Sequence, residues 1–387
     1  MYQGFLRLLL SLIVVVYHFF KTSPMPGPIA VMAFFLVSGF LISRVVVKTY
    51  STSDGLKRFA VNRILRLWPT YLVIIFFSAA VIAIDPAGAS RVNAALSWPQ
   101  SVGGWAAQFF IVGLTLFPMD IYPHRFAPPA FSLAIELFHY ALIAVVIRGD
   151  AMRTYVWLGV GILIAAYIVI AGLYGAAYYS YFGPTIAFAA GAALHLGYDK
   201  WRDKARRWLA GRESLFAAAA VFCFLIYVFA QEIAAVFIIV VLGKASSFAG
   251  DILPGANALI LYGSIPFACL AFFACMIAPH RSDTAPRRFV SKFSDLSGDL
   301  SYPLFLVHWP MLALTAKLAP WWGVYDWRLR VLAIVLSIVF SLAVVYSIEK
   351  PMEKIRNRVR RGEPAGQPAA SAPRPTPAMA ESPQSGA

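Results

Sequence analysis

Ten times between residues 5 and 348 the chain runs through an apolar stretch long enough, or nearly long enough, to cross a bilayer. The stretches are 5–20, 29–47, 67–84, 131–147, 154–172, 182–197, 214–230, 257–279, 302–319 and 329–348. No other feature constrains the fold so strongly. A helix needs about 20 apolar residues to span hydrocarbon, and a barrel strand only about 10. Backbone in lipid must satisfy its own hydrogen bonds, and runs of this length do so as helices. The predicted fold class is therefore an all-α polytopic membrane protein of about ten transmembrane helices. Composition agrees: 60% of the 387 residues are hydrophobic and 13% are charged. A soluble domain of this size cannot bury that much apolar surface.

Two shorter runs, about 105–118 and 233–242, are ambiguous in length. The cations decide how to read them. "KRFAVNRILR" joins the second and third spans, "RGDAMR" follows the fourth and "DKWRDKARRWLAGR" the sixth. "HRSDTAPRR" follows the eighth and "EKIRNRVRR" the tenth. All five clusters share one side only if neither short run crosses, and cytoplasmic loops are the ones that hold Lys and Arg. The expectation is ten spans with both termini cytoplasmic and the short runs re-entrant or interfacial. No small-x-small cleavage site follows the first apolar run, so it reads as an uncleaved span. Residues 1–352 form the predicted transmembrane domain. Residues 353–387 read as a cytoplasmic tail, first basic and then rich in Pro, Ala and Ser, with no apolar periodicity to order it.

The net charge of +15 does not point to nucleic acid, because the cations sit in short clusters between apolar spans. The three cysteines, Cys223, Cys269 and Cys275, lie in apolar runs without ligand spacing, as small buried hydrophobes do.

Ionisable groups inside spans are costly and are functional candidates by default. "RLLLSLIVVVYHFF" places Arg7 near the cytoplasmic end of the first span and His18 near the outer end. Eleven residues advance a helix by about 16 Å and return it to within about 20° of the same face. Alone, Arg7 also fits an interfacial anchor and His18 an interfacial residue beside Tyr17. "FFLVSGFLISR" sets Ser38 and Gly39 mid-span, where a small pair usually allows close helix packing. In "NRILRLWP", Arg63 and Arg66 share a helix face at the cytoplasmic start of the third span; they suit either a snorkelling anchor or a guanidinium fork for phosphate. "FSLAIELFHYAL" carries Ser132 and Glu136 on one face of the fourth span. Counted from the start of that span, Glu136 lies at the depth of His18, where the two would form an acid–base pair. Glu136 and His139 also show the E-x-x-H spacing of di-iron bundles, but the second motif such sites need is missing, so no metal is expected. "GDLSYPLFLVHWP" places His308 in the cytoplasmic half of the ninth span, where a lone His usually serves packing, and "SIEKP" reads as a helix stop at Glu349, Lys350 and Pro351.

Taken together these motifs resemble the acyltransferase 3 family of membrane enzymes, over about residues 5–352. The family's Arg-x10-His pattern is met by Arg7 and His18, and its F-F-x-x-S-G-F by Phe34, Phe35, Ser38, Gly39 and Phe40. Its R-x-x-R-I-x-P-like segment is met by Arg63, Arg66 and Pro69. Its W-S-L-x-x-E appears with Phe131 for Trp, and its G-x-x-S-Y-x-x-Y-L-x-H with Tyr302 and His308 present and Phe305 for the second Tyr. The resemblance implies an O-acyltransferase of the bacterial inner membrane. It would use cytoplasmic acyl-CoA, most commonly acetyl-CoA, as co-substrate, with no bound cofactor. Its acceptor would be a hydroxyl of an extracytoplasmic or membrane-linked glycan or lipid, and envelope-glycan assembly proteins are possible partners. On this reading Arg7, Arg63 and Arg66 hold the donor's phosphates, and His18 is general base or acyl carrier, supported by Glu136. Ser38, Gly39, Ser132, Tyr302 and His308 have supporting roles. A transporter or flippase for a glycan precursor or anion also suits ten spans with buried His and Glu, although no repeat relates two halves of the chain. A non-catalytic subunit of a glycan-export complex is a third reading.

Overall fold

A computed structural model describes residues 2–20, 25–50, 53–99, 101–102, 104–105, 125–230, 256–278 and 285–361. The described residues are helical apart from short connections, and they hold no β-strand beyond an isolated bridge between Leu96 and Arg125. Ten helices coincide with the ten predicted spans. They are α1 (Gln3–Phe20), α2 (Pro26–Thr49), α3 (Ser53–Ile84), α5 (Phe131–Leu142), α6 (Ala151–Ile170), α8 (Thr185–Leu209), α9 (Glu213–Val228), α10 (Ala256–Ile277), α11 (Ala285–Leu318) and α12 (Trp327–Val344). The shorter α4 (Pro86–Val92) and α7 (Tyr174–Tyr179) lie between them, and α13 (Lys350–Arg361) closes the described chain. Among the described residues seven helices are long and apolar enough to cross a membrane unaided, or eight if α8 and α9, bent by 110°, form one span. The helix holding the predicted ninth span, α11, falls short because Tyr302, Pro303, His308, Trp309 and Pro310 interrupt its apolar run. The chain is thus an all-α polytopic membrane protein.

The cation-rich ends gather at one end of the bundle. Lys48 at the end of α2 pairs with Asp199 of α8 at 3.8 Å. Arg206 of α8 donates to the Ile277 carbonyl of α10. Asn62 of α3 donates to the Arg356 carbonyl of α13, and Lys350 pairs with Asp299 of α11 at 2.6 Å. Tyr2 and Ser214 bring the starts of α1 and α9 to the same place. At the opposite end Asp85 pairs with Lys317, and Tyr227 of α9 donates to the Ile260 carbonyl of α10. Both flanks of each short apolar run therefore lie at that opposite end. The runs 105–118 and 233–242 themselves, apart from Trp105, fall outside the described residues, as does the chain from Gly362.

Two expectations are corrected here. The helix does not stop at Glu349–Pro351: α12 passes through a π turn at Val345–Glu349 and continues as α13 to Arg361. The wide turn accommodates Pro351, which lacks the N–H that a regular α-turn would use. The basic segment 353–361 is accordingly helical and packed against α3.

Close backbone packing joins α2 to α8. A Cβ on Gly39 would collide with the Phe188 carbonyl, and one on Gly191 with the Leu36 carbonyl. The two glycines face each other's helix, the arrangement by which small residues let membrane helices approach closely.

Candidate active site

Five helices, α1, α2, α3, α5 and α11, line a half-open cavity of about 280 Å³. Its charged lining is Arg7, Arg63, Arg66 and Glu136, and its hydroxyls belong to Ser38, Ser132, Tyr140, Ser301 and Tyr302. Phe34, Phe35 and Phe305 with the aliphatic residues of α2 complete the wall. Seven of the ten predicted site residues therefore meet around one space, although they come from five separate segments of sequence.

Glu136 is held from two sides. Ser38 Oγ donates to one carboxylate oxygen at 3.0 Å and Tyr140 Oη to the other at 2.9 Å. Tyr140 was not singled out from sequence; its only signal is the i+4 spacing from Glu136, which places both on one helix face. Arg7 lies within electrostatic reach of Arg66, Glu136 and Tyr140, and Arg63 within reach of Arg66. Three guanidiniums against one carboxylate leave the cavity with an excess of two positive charges. Arg63 donates through Nη2 to Asn62 Oδ1 at 3.1 Å, while its buried Nε has no partner. Neither Arg7 nor Arg66 forms an ion pair among the described residues.

The supporting residues have local tasks. Tyr302 Oη donates to the Leu67 carbonyl at 3.0 Å, tying α11 to the turn of α3 that carries Arg66. Ser132 donates to the Pro129 carbonyl at the start of α5, and Gly39 belongs to the α2–α8 contact described above.

His18 is elsewhere. It stacks on His308, with ring centroids 5.2 Å apart and planes 12° from parallel, and packs against Tyr17 and Trp309. His308 therefore lies at the depth of His18 and not, as expected, in the half of the span nearer Arg7; the long helix α11 begins well before the apolar run, at Ala285, so a count from residue 302 misplaces it. It is fully buried and its Nδ1 bonds the Phe305 carbonyl at 2.8 Å. A carbonyl accepts only from N–H, so Nδ1 carries a proton, while Nε2 is buried and unpartnered. On α11 the cavity lining ends at Phe305, one turn short of His308.

The expected His18–Glu136 pair is not formed, and the expected depth match does not hold. Tyr17 packs against Gly27. Ser38, which holds Glu136, is eleven residues further along the same helix, about 16 Å at 1.5 Å per residue. The reason lies before α5. Phe126 and Ala127 are already buried, and Ser78 receives Phe126 by bonding its carbonyl. The chain thus enters the bundle before the helix begins, so counting from the helix start puts Glu136 too far out. The E-x-x-H spacing also resolves without chemistry. His139 turns away from Glu136 to stack on Phe188 at 4.1 Å and bonds the Ile135 carbonyl. Among the described residues no group of three His, Cys, Asp or Glu could hold a metal.

No curated protein and no solved structure matches the chain. The family model for the acyltransferase domain matches residues 4–349, a range that takes in every helix lining the cavity. The chain therefore belongs to the acyltransferase 3 family and is a membrane acyltransferase.

Proposed function

We propose that the protein transfers an acyl group, most simply acetyl, from cytoplasmic acyl-CoA to a hydroxyl of an extracytoplasmic or membrane-linked glycan or lipid. The basic end of the bundle faces the cytoplasm of a bacterial inner membrane, following the positive-inside rule. The observation that carries the reading is the cavity's charge: Arg7, Arg63 and Arg66 around one half-open space with a single carboxylate. Like charges held together away from bulk water are costly, and a polyphosphate relieves that cost through charge-assisted, bidentate hydrogen bonds.

In this scheme the donor's diphosphate lies at Arg63 and Arg66. Its extended arm runs inward past Ser38, Glu136, Tyr140 and Tyr302, whose polar groups suit the two amides of pantetheine. His18 is the base that takes the acceptor's hydroxyl proton, or carries the acyl group, at the far end. The hydroxyl oxygen forms its bond to the thioester carbonyl carbon, the carbon–sulfur bond breaks, and CoA leaves as the thiolate, which takes up the proton. His18 is half-buried and makes no hydrogen bond among the described residues, so its ring can accept a proton. The 16 Å rise between Arg7 and His18 on one helix is about the reach of the donor's arm. Glu136 supports the site from the cavity rather than by touching His18, and passage of the thioester requires the Phe34–Phe305 contact to part.

Binding and glycan analysis test the proposal together. Purified protein titrated with CoA should bind it, and Arg66→Ala should weaken binding roughly ten- to a hundredfold, the value of a charge-assisted contact. Arg66→Lys should recover only part, because lysine lacks the fork. Deleting the gene should remove one acyl substituent from the envelope glycans or lipids seen by mass spectrometry. A transporter would instead leave acylation intact, and equal CoA affinity in all three proteins would remove Arg66 from the donor site.

A further inference from the structure

The guanidiniums of the cavity do not end at Arg63. Asn62 accepts from Arg63 Nη2 at 3.1 Å and donates to the Arg356 carbonyl at 3.0 Å, so one amide clamps the start of α3 to α13. Arg356 lies within electrostatic reach of Arg66. Arg63, Arg356 and Arg360 all lie within reach of the Tyr50 hydroxyl at the end of α2. The cations thus form a continuous row from Arg7 inside the bundle to α13 at its basic end.

Among the described residues Arg356 forms no ion pair. Its Nε is buried and has no hydrogen-bond partner, as is that of Arg63. The carboxylates near it are engaged elsewhere. Glu349 accepts from Thr70 at 2.5 Å, and Asp299 and Glu353 are both paired with Lys350, at 2.6 and 3.7 Å. Two buried, unsatisfied guanidinium nitrogens on residues joined through one Asn62 amide are the arrangement an anion resolves. Nothing in the sequence motifs marks Arg356, because it lies beyond the span where the helix was expected to stop.

We infer that Arg356 seats a second phosphate of the donor, the one on the ribose 3′-oxygen of CoA, so that α13 is part of the binding site. This inference rests on the acyl-CoA reading above. A CoA molecule carries its diphosphate and its 3′-phosphate on opposite sides of one ribose. A row of cations that turns from Arg63 and Arg66 toward Arg356 offers a seat to each. Arg360, one turn beyond Arg356 on the same face, extends the positive field toward the solvent.

The experiment compares CoA with 3′-dephospho-CoA as titrants. Full-length protein is held in nanodiscs of zwitterionic lipid, so that no anionic headgroup competes. Wild type should bind CoA roughly ten- to a hundredfold more tightly than dephospho-CoA, the loss expected for one charge-assisted contact. Arg356→Ala should weaken CoA by the same factor and leave dephospho-CoA unchanged. Arg356→Lys should keep part of the preference. Equal affinities for the two ligands in wild type overturn the inference whatever the variants do. So does an Arg356→Ala protein that loses affinity for both ligands alike, the mark of a displaced α13. If wild type binds neither ligand, the acyl-CoA reading itself fails and this inference falls with it.

Discussion

Replacing Glu136 with glutamine tests the cavity most sharply, because shape is kept and only charge is removed. Two hydroxyls donate to the carboxylate, at 3.0 and 2.9 Å. A hydrogen bond to a charged group contributes about 1.5–3 kcal/mol and a neutral one about 0.5–1.5. The amide keeps one donor on its oxygen and turns its NH₂ toward the other, whose hydroxyl can rotate to accept. Each bond then loses about 1–1.5 kcal/mol, together about 2–3, or roughly thirty- to a hundred-and-fiftyfold if the full difference is felt in the reacting complex. The same change removes the one negative charge facing three guanidiniums, so affinity for CoA should hold or tighten. The expected outcome for Glu136→Gln is acyl transfer reduced by that factor, measured as glycan acylation by mass spectrometry, with CoA binding to the purified protein undiminished. Wild-type transfer would show that the carboxylate does no work in the reaction. A tenfold loss of CoA affinity would show that it instead holds the arginines in place, and the charge argument would be wrong.

The other predictions concern residues around the cavity and the topology. His18→Ala should abolish transfer at normal protein abundance and leave CoA affinity unchanged, since His18 lies outside the cavity lining; weakened CoA binding would put it in the donor site instead. Gly39→Ala forces a Cβ onto the Phe188 carbonyl and should destabilise the protein by about 1–3 kcal/mol, read as a lowered melting temperature in detergent; an unchanged melting temperature would contradict the close α2–α8 contact. A topology reporter fused after Arg212 should read cytoplasmic and one after Gly323 external, and reversal at either site would overturn the orientation proposed for the basic end.

Much of the bundle was legible because lipid imposes so simple a rule. Apolar length alone located α1, α2, α6 and α12, and one-sided cations gave the parity that the ion pairs and hydrogen bonds at the basic end reproduce. The guanidinium set was legible for a similar reason: Arg7, Arg63 and Arg66 are charges where charges are costly. Depth was less legible. A count from the start of a span assumes that the span starts at the membrane surface, and the buried Phe126–Ala127 approach to α5 breaks that assumption. Proline misled at the other end of the chain, because Pro351 stops an α-turn but not a π turn. Tyr140 is illegible because a tyrosine within a span reads as ordinary packing until its bond to Glu136 on the same helix face is seen, and Asn62 because an asparagine beside a span reads as interfacial until its partner Arg356 is seen across the bundle.

The paired glycines of α2 and α8 bear on how the molecule can move. Backbone against backbone leaves no side chain between the two helices that could change rotamer and yield. With α2 fixed to α8, and through Phe188 to His139 of α5, one wall of the cavity behaves as a stiff plate. The facing wall is built from α1, α3 and α11. Its α1–α11 seam is equally close, since a Cβ on Gly4 would collide with the Ser294 carbonyl, whereas α3 is joined to α11 by the Tyr302 bond to the Leu67 carbonyl rather than by a glycine contact. Compliance is thus concentrated in α3. A bulky guest entering the space is accommodated by displacement of α3, the helix that bears Arg63 and Arg66, so that gripping the guest and opening for it fall to the same helix.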